Sequence, residues 1–316
     1  MRCRMSRVVI AGAGAIGKAL AQKLAATHDV RAVRQSSDLP PSTDRLSWYQ
    51  ADLTTMHGAE LALTGAHTVV VLAQARRAPA RLQRASLEDL DRLLGDSIAR
   101  AARLVDAKHL VLFANGETDV RLPLLEHSGV PLSVLRGGFP DPVELLAGIV
   151  TSGAGAGHAN TAAWTGVTPE ERPPSIPTCS IQRYAHPSGW TALDVARAYF
   201  KWLPSDVPLV KTTEHAGVFS IYLAGMRALV LRLSPGRSTT DCAWLAVADG
   251  SMNGEGAAES RFEFRTLLDG VTTLTALVGY QPSLPWLVYR FTQSVLHERV
   301  MRRFGLWLAE QKGPPS

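Results

Sequence analysis

The chain has few cysteines, few lysines and no long apolar run, and each shortage excludes a class of protein. Among its 316 residues are only three cysteines (Cys3, Cys179 and Cys242), which are far apart and odd in number. They do not form the pattern of a disulfide framework, so the sequence predicts a protein of the reducing cytoplasm. No window of 18 uncharged apolar residues occurs, and we therefore expect no transmembrane helix.

Most of the basic residues are arginine, since only six of the 33 are lysine. The net charge of +5 and the isoelectric point near 9.3 reflect scattered arginines. No run of five or six basic residues is present, so the sequence does not support nucleic-acid binding. A small-molecule substrate is the expected partner, and the sequence does not specify an oligomeric state.

Short apolar strands alternate with helical patterns in the first half of the chain. This alternation is typical of an α/β fold with a doubly wound parallel sheet, because strands buried on both faces are apolar and β-branched. The predicted strands are Val8–Ala11, Val30–Arg34, Leu46–Gln50, Thr68–Leu72, Leu110–Phe113 and Leu132–Leu135. The predicted helices are Ala15–Ala26, Met56–Leu63, Leu87–Val105 and Val120–His127.

A G-x-G-x-x-G motif lies between the first strand and the first helix. It consists of Gly12, Gly14 and Gly17, with Ala15 and Ile16 between the last two glycines. In this context Gly12 permits a tight turn, Gly14 lets backbone N–H groups approach a pyrophosphate, and Gly17 lets the helix pack on the sheet. The partial positive charge of the helix N-terminus adds to the attraction. A merely structural turn is the alternative.

The end of the second strand favours NADP(H) over NAD(H). An NAD site needs a carboxylate there for the ribose 2′-hydroxyl, but the first acid is Asp38. Arg34 lies where a 2′-phosphate is expected, and Ser36 and Ser37 can donate hydrogen bonds to it. Contacts between arginine and phosphate are charge-assisted and often bidentate. A solvated surface arginine is the alternative interpretation.

Residues at the other strand ends are further candidates for cofactor contact. Asp52 and Leu53 follow the third strand and are placed beside the adenine. The segment Leu72, Ala73 and Gln74 follows the fourth strand and is placed under the ribose next to the nicotinamide. The remaining cofactor candidates lie at the ends of the fifth and sixth strands, and they are Phe113, Ala114, Gly137 and Phe139.

Residues 7–150 resemble the atypical short-chain dehydrogenase/reductases, in particular the NmrA-like group. The resemblance rests on the glycine loop, on Val33-Arg34, on Ala51-Asp52-Leu53 and on the stretches 65–72, 111–114 and 126–136. It implies a Rossmann-like domain that binds NADP(H), with a substrate cleft above the strand ends. NmrA-like relatives include both reductases and non-catalytic NADP sensors.

The sequence departs from that family in its acid–base residues. Typical members use a Tyr-x-x-x-Lys pair, but none of the six tyrosines here has a lysine four residues later. By position, Thr118 and Leu122 fall roughly where the pair would be. The candidate proton donors are therefore Asn115 through a water, Glu117 if a dry pocket raises its pKa, and Tyr184 or His186 from the second half. For Glu117 the alternative is a solvated carboxylate, and for Tyr184 and His186 it is a polar seam between domains.

The second half follows a different pattern. We expect a first domain over residues 1–150, a linker or lid over 151–190, and a C-terminal α+β domain over 191–316. The predicted elements of that last domain are a helix Ala192–Trp202, the antiparallel strands Val218–Leu223, Ala228–Leu233, Ala243–Ala248, Arg261–Leu267 and Thr272–Tyr280, and a long helix from Pro285 to Gln311. Its architecture faintly resembles the START-like helix-grip domains.

The last helix has two interpretations. Its aromatic residues and arginines suit either an anionic membrane surface or packing on the sheet with the arginines in solvent. We favour packing, because the sheet needs a cover, and so we do not expect peripheral membrane contact.

Together these features predict an NADP(H)-dependent oxidoreductase of the atypical short-chain type that acts on a small, largely apolar substrate. Two alternatives remain open at this point. One is a non-redox enzyme, a cyclase or isomerase, that retains NADP structurally. The other is an NmrA-like sensor that distinguishes NADP from NADPH.

Overall fold

The computed structural model describes residues 6–74, 85–114, 118–136, 141–153, 158–159, 179–249, 260–279 and 293–311. The chain divides into two compact units, the first with strands β1–β7 and the second with strands β8–β14, each bounded below. Within the described residues no helix is both long enough and apolar enough to cross a bilayer.

The first unit alternates strands and helices, as the sequence predicts. Its strands are β1 (Arg7–Ala11), β2 (Asp29–Arg34), β3 (Leu46–Gln50), β4 (Thr68–Val71), β5 (His109–Ala114), β6 (Leu132–Arg136) and the two-residue β7 (His158–Ala159). Its helices are α1 (Ala15–Leu24), α2 (Met56–Leu63), α3 (Leu87–Leu104, which belongs to this unit from Leu90 on), α4 (Leu122–Glu126) and α5 (Pro142–Ser152).

The seven strands form one parallel sheet in the order β3-β2-β1-β4-β5-β6-β7. The chain moves outward from β1 to β3, returns to β4 on the other side of β1, and then moves outward again. This reversal between β1 and β4 is the topological switch point, where the carboxyl ends of the strands open a crevice. The α/β fold class predicted from the sequence is confirmed.

Both faces of this sheet are covered. On one face Ile10, Val30 and Val70 pack against Leu20 of α1 and Leu146 of α5 in a single apolar cluster. Since side chains alternate along a strand, the neighbours of those residues point to the opposite face. Val9, Val69, Val71, Leu110 and Leu112 on that face are also fully buried. Burial on both faces explains the continuous apolar runs in the sequence.

His109 at the start of β5 makes the stability of this unit depend on pH. It is buried, and its Nε2 lies 2.9 Å from Ser133 Oγ. Burial, and then the neighbouring His67, lowers the pKa of His109 from its ordinary value of 6.5. The folded unit therefore binds fewer protons than the unfolded chain in the interval below pH 6.5. We expect the free energy of unfolding to fall as the pH drops through this interval.

Hydrogen exchange of β5 peptides between pH 7.5 and pH 5 measures this dependence. A His109→Gln variant should be less stable near pH 7.5 and should show a flatter pH dependence. An unchanged slope in that variant would assign the pH dependence to other groups. His186→Gln is the matched control, since that histidine belongs to the second unit.

The second unit contains a seven-stranded antiparallel sheet. Its strands are β8 (Cys179–Ala185), β9 (Val210–His215), β10 (Val218–Leu223), β11 (Met226–Leu233), β12 (Cys242–Asp249), β13 (Arg261–Thr266) and β14 (Thr272–Val278). Its helices are α6 (Ala192–Asp206), a 3₁₀ turn at Pro235–Arg237, and α7 (Gln293–Ala309). The order of strands is β8-β14-β13-β12-β11-β10-β9.

An aromatic core holds α6 and α7 on one face of this sheet. Phe304 of α7 contacts Tyr199 and Trp202 of α6, with ring centroids 5.2 and 5.4 Å apart, and Tyr199 contacts Phe262 and Phe264 of β13. Arg299, Arg302 and Arg303 are exposed on α7, whereas Phe304 and Leu308 are fully buried. The described part of the last helix therefore packs its aromatic residues on the sheet and turns these arginines to solvent, as the second of the two interpretations required. Trp286, Tyr289, Arg290 and Phe291 lie outside the described residues.

Helix α6 continues past Trp202, where the sequence predicts its end, and includes Pro204. A proline removes the hydrogen bond to the carbonyl four residues earlier, which here belongs to Phe200. The hydroxyl of Thr212 on β9 donates to that carbonyl at 2.7 Å. A strand that the sequence analysis missed therefore compensates for the proline.

The sequence analysis also missed helix α5 and strands β7 and β8. Helix α5 runs past residue 150, and both strands lie within the segment expected to form a linker or lid. Strand β9 is an edge strand that is largely exposed. The domain boundaries at 150 and 190 stay predictions.

Candidate functional site

The glycine loop connects β1 to α1 at the switch point. Gly12 has φ +102°, and a Cβ there would lie 2.3 Å from the backbone nitrogen of Ala73. A Cβ on Gly17 would lie 2.7 Å from the Gly12 carbonyl oxygen and 3.3 Å from Leu72 Cδ1. Both positions therefore need glycine, one for the turn and the approach to β4, the other for the approach of α1 to the loop.

The N-terminus of α1 presents a polar, positively polarised end. Its N-cap is Gly14, which is exposed and has no side chain to cap the first turn, and that turn contains no acidic residue. Ala15 and Ile16 are half-buried at its start. An anion at this end would gain from the helix dipole and from backbone N–H groups.

The loop is fastened to the end of β2, next to Arg34. The Ala13 N–H donates to the Val33 carbonyl at 2.8 Å, and Arg34 follows directly. Arg34 and Ser36 are half-buried, and Ser37 is exposed. The Ser36 hydroxyl accepts from the Asp38 N–H at 3.2 Å, so this short turn is ordered around a serine.

The loop after β3 is ordered by its own aspartate. Oδ1 of Asp52 accepts from the Thr54 N–H at 3.0 Å and from the Thr54 hydroxyl at 2.6 Å. Leu53 is buried, and Thr55 caps α2 by accepting from the Gly58 N–H at 2.9 Å. The carboxylate of Asp52 thus shapes the entry to α2.

The ends of β4 and β5 form the rest of the described carboxyl edge of the parallel sheet. Leu72 is buried, Ala73 and Gln74 are half-buried, and the Ala73 N–H donates to the Ala11 carbonyl at 2.8 Å. At the end of β5, Phe113 is half-buried and Ala114 is buried. Four predicted site residues, Asn115, Glu117, Gly137 and Phe139, lie outside the described residues.

An ion pair between Asp119 and Arg121 lies at this same edge and was missed by the sequence analysis. Arg121 is fully buried, and its Nε donates to Asp119 Oδ1 at 2.9 Å. Its Nη1 donates to the Ala73 carbonyl, and its Nη2 donates to Asp119 Oδ2 and to the Phe113 carbonyl, the latter at 3.1 Å. The guanidinium therefore joins the ends of β4 and β5. We call this pair with its two carbonyls the Arg121 clamp.

A glycine in α3 makes room for the clamp. A Cβ on Gly95 would lie 3.1 Å from both Cα and Cβ of Arg121 and 3.2 Å from its Cγ. The sequence signals were an Asp-x-Arg spacing just after a strand and a glycine inside a predicted helix. Neither signal indicates which residues Arg121 contacts, because the Ala73 carbonyl that it binds is 48 residues away in the sequence.

The structure places Tyr184 and His186 in the second unit, in contacts with their own sheet. The Tyr184 hydroxyl lies 3.3 Å from Thr275 Oγ1, its ring packs against Phe304, and burial raises its pKa far above the ordinary value. For His186, Nδ1 lies 2.8 Å from Thr273 Oγ1 and Nε2 lies 3.1 Å from the Trp190 carbonyl oxygen. Burial lowers the pKa of His186, which favours its neutral form.

A second buried polar cluster lies on β12 and β13. Glu263 is fully buried, with its Oε1 2.6 Å from Nε of Arg265 and its Oε2 3.4 Å from Nε of Arg261. Burial opposes ionisation of Glu263, but the two arginines outweigh it and lower its pKa. Cys242 Sγ lies 3.5 Å from Glu263 Oε1, and burial raises the pKa of this thiol. An inert thiol and a fixed carboxylate indicate a structural ion-pair cluster.

The described residues contain no group of histidine, cysteine, aspartate and glutamate side chains arranged to hold a metal ion. No protein-family model and no curated protein sequence matches the chain.

Several solved structures are similar to part of this chain. The enzyme WbmG of Bordetella bronchiseptica in complex with NAD is 20% identical with a TM-score of 0.37, over 43% of this chain and 54% of that one. Uronate dehydrogenase from Agrobacterium tumefaciens is 20% identical with a TM-score of 0.30, over 35% and 41%. A Rossmann-fold NAD(P)-binding family protein from Shigella flexneri is 18% identical with a TM-score of 0.36, over 47% and 88%.

This chain thus matches about half the length of the first of these structures. At TM-scores below 0.4, this likeness carries no argument about what the chain does. The NmrA-like and START-like resemblances stay predictions.

Proposed function

We propose that the first unit binds NADP(H) at the carboxyl edge of its sheet and that the protein is an NADP(H)-dependent oxidoreductase. The observation that carries the proposal is the glycine loop at the switch point, where a Cβ on Gly12 or Gly17 would meet backbone atoms at 2.3 or 2.7 Å. Glycine at these two positions lets the loop close against the end of β4 and lets α1 start close to the loop, which is the arrangement in which a helix N-terminus meets a pyrophosphate. The N-cap at Gly14 and the absence of acid in the first turn of α1 suit the same anion.

The residues at the strand ends fit the rest of such a cofactor. Arg34 would hold the 2′-phosphate, with Ser36 and Ser37 as hydrogen-bond donors. The second mononucleotide of a dinucleotide lies on the β4–β6 side of the switch point, which assigns Ala73, Phe113 and Ala114 to the nicotinamide half. When bound, the cofactor would supply a hydride, and a small, largely apolar substrate would receive it.

The proton donor in this proposal is Asn115 through a water, or Glu117. Both follow β5 in the sequence and lie outside the described residues. Tyr184 and His186 are not part of the proposed site, because hydrogen bonds within the second unit engage both side chains.

Arg34→Ala is expected to weaken NADPH binding about ten- to a hundredfold, which is roughly 1.5–3 kcal/mol for a lost charge-assisted contact. NADH, which lacks the 2′-phosphate, should bind nearly unchanged. Fluorescence titration of both cofactors measures the two affinities. Arg45→Ala is the matched control, since Arg45 precedes β3 at the opposite end of the strands and donates to the Ala26 carbonyl at 2.9 Å.

Equal losses for NADPH and NADH would refute the role of Arg34, and failure of the wild type to bind either would refute the proposed function. If NADPH binds, its oxidation in the presence of carbonyl, enone and quinone substrates tests for hydride transfer.

One observation favours a second candidate function, in which NADP is bound but not consumed. Thr118 and Leu122, the positions expected for a tyrosine and lysine pair, flank the buried Asp119–Arg121 pair. A structural ion pair in this stretch suits a non-redox enzyme or an NmrA-like sensor. NADP that stays unreduced during substrate conversion supports the enzyme, and a large difference in affinity between NADP and NADPH without turnover supports the sensor.

A further inference from the structure

Arg121 occupies a place where two neighbouring strands separate. The β4–β5 ladder ends at the pair Val71–Leu112, and the guanidinium joins Ala73 to Phe113 just beyond it. Asp119 holds the guanidinium through both carboxylate oxygens. The spacing of the two strand ends is therefore set by a planar side chain with fixed directions of hydrogen bonding.

Ala73 also connects the clamp to the glycine loop. Its N–H donates to the Ala11 carbonyl at 2.8 Å, and its backbone is the one that a Cβ on Gly12 would meet. A shift of Arg121 would thus move the floor of the crevice on the β4 side. The adenosine side is fastened separately, through the hydrogen bond from Ala13 to Val33.

We infer that Arg121 is a positioning residue for the nicotinamide half of the dinucleotide, an inference that rests on the proposed function. A buried ion pair is a weak source of stability compared with apolar packing. This one lies at the end of the strands, is fully removed from solvent on the arginine side, and is accommodated by a glycine in α3. The Arg121 clamp thereby fixes the geometry of the ends of β4 and β5 under the nicotinamide ribose.

The test compares a whole dinucleotide with its adenosine half. Adenosine 2′,5′-bisphosphate carries the 2′-phosphate and the 5′-phosphate but no nicotinamide. Arg121→Lys should lower the affinity for NADPH about tenfold or more and that for the bisphosphate less than about twofold, because one ammonium cannot hold two carbonyls and both carboxylate oxygens. A purely structural role would lower both affinities together.

Gly95→Ala is a second test of the role of Arg121, and it applies even if Arg121→Lys does not fold. The added methyl would press on Arg121 at 3.1 Å without removing a charge, and we expect a roughly three- to tenfold loss of NADPH affinity with the bisphosphate affinity kept. Gly148→Ala is the matched control, because that helical glycine of α5 has no heavy atom within 4 Å of an added Cβ.

The outcomes separate this inference from the proposed function. Folded variants that bind NADPH like the wild type, or that lose both ligands equally, overturn the role of Arg121 and leave the proposed function standing. A wild-type protein that binds neither ligand overturns both.

Discussion

Gly12→Ala is expected to abolish dinucleotide binding and to destabilise the first unit by about 3 kcal/mol or more. Two costs add at this position. A side chain is strained at φ +102°, and its Cβ would lie 2.3, 2.4 and 2.8 Å from three atoms of Ala73. Those atoms are backbone and Cβ, so no rotamer change relieves the overlap. The loop must instead separate from β4, which opens the switch point where the cofactor is proposed to bind.

Gly129→Ala isolates the backbone cost. Gly129 has φ +74°, but an added Cβ there has no heavy atom within 4 Å, so only the left-handed conformation is penalised, by roughly 1–2 kcal/mol. Hydrogen exchange of β1 and β4 peptides measures the stability of the unit, and NADPH titration measures binding. If Gly12→Ala costs no more than Gly129→Ala, the close approach to Ala73 is not what demands glycine.

Periodicity and turn residues predict much of the first unit because its signals are local. The predicted bounds of β3 and α2 coincide with the observed ones, Leu46–Gln50 and Met56–Leu63. Helix α2 begins at a threonine N-cap, which a sequence displays directly. The glycine loop is also local, because its strand, turn and helix are consecutive.

Elements stabilised from a distance could not be predicted in this way. The edge strand β9 is largely polar and exposed, so it lacks an apolar pattern, and it is a strand because β10 pairs with it. Helix α6 passes through Pro204 because Thr212 satisfies the carbonyl that the proline leaves free. In both cases tertiary pairing overrides local preference.

The Arg121 clamp shows the same limit within the candidate site. Sequence reasoning can assign Arg34 a role from its place at the end of a strand, because the ligand that it would bind is outside the chain. Apart from Asp119, the partners of Arg121 are backbone carbonyls on two other segments. Every residue has such a carbonyl, so the sequence does not indicate which ones Arg121 binds. Only the assembled sheet brings them together.

Gly305→Ala should strongly destabilise the second unit. A Cβ on Gly305 would lie 2.2 Å from Cδ1 and 2.6 Å from Cε1 of Tyr184. That ring is buried and contacts Phe304 edge-on with centroids 5.9 Å apart, so it has no open space to enter. Helix α7 would have to lift from β8, at a cost of about 2–3 kcal/mol.

A double-mutant cycle distinguishes this contact from a general loss of packing. Tyr184→Leu removes the two ring atoms that the new methyl would meet, so the double variant should be more stable than the sum of the single changes predicts, by about 1 kcal/mol or more. Denaturation followed by tryptophan fluorescence, in a Trp48→Phe background that removes the buried tryptophan of β3, follows the unfolding of this unit through Trp190, Trp202, Trp244 and Trp307. Additive effects would mean that the clash with the Tyr184 ring is not the reason why position 305 needs glycine.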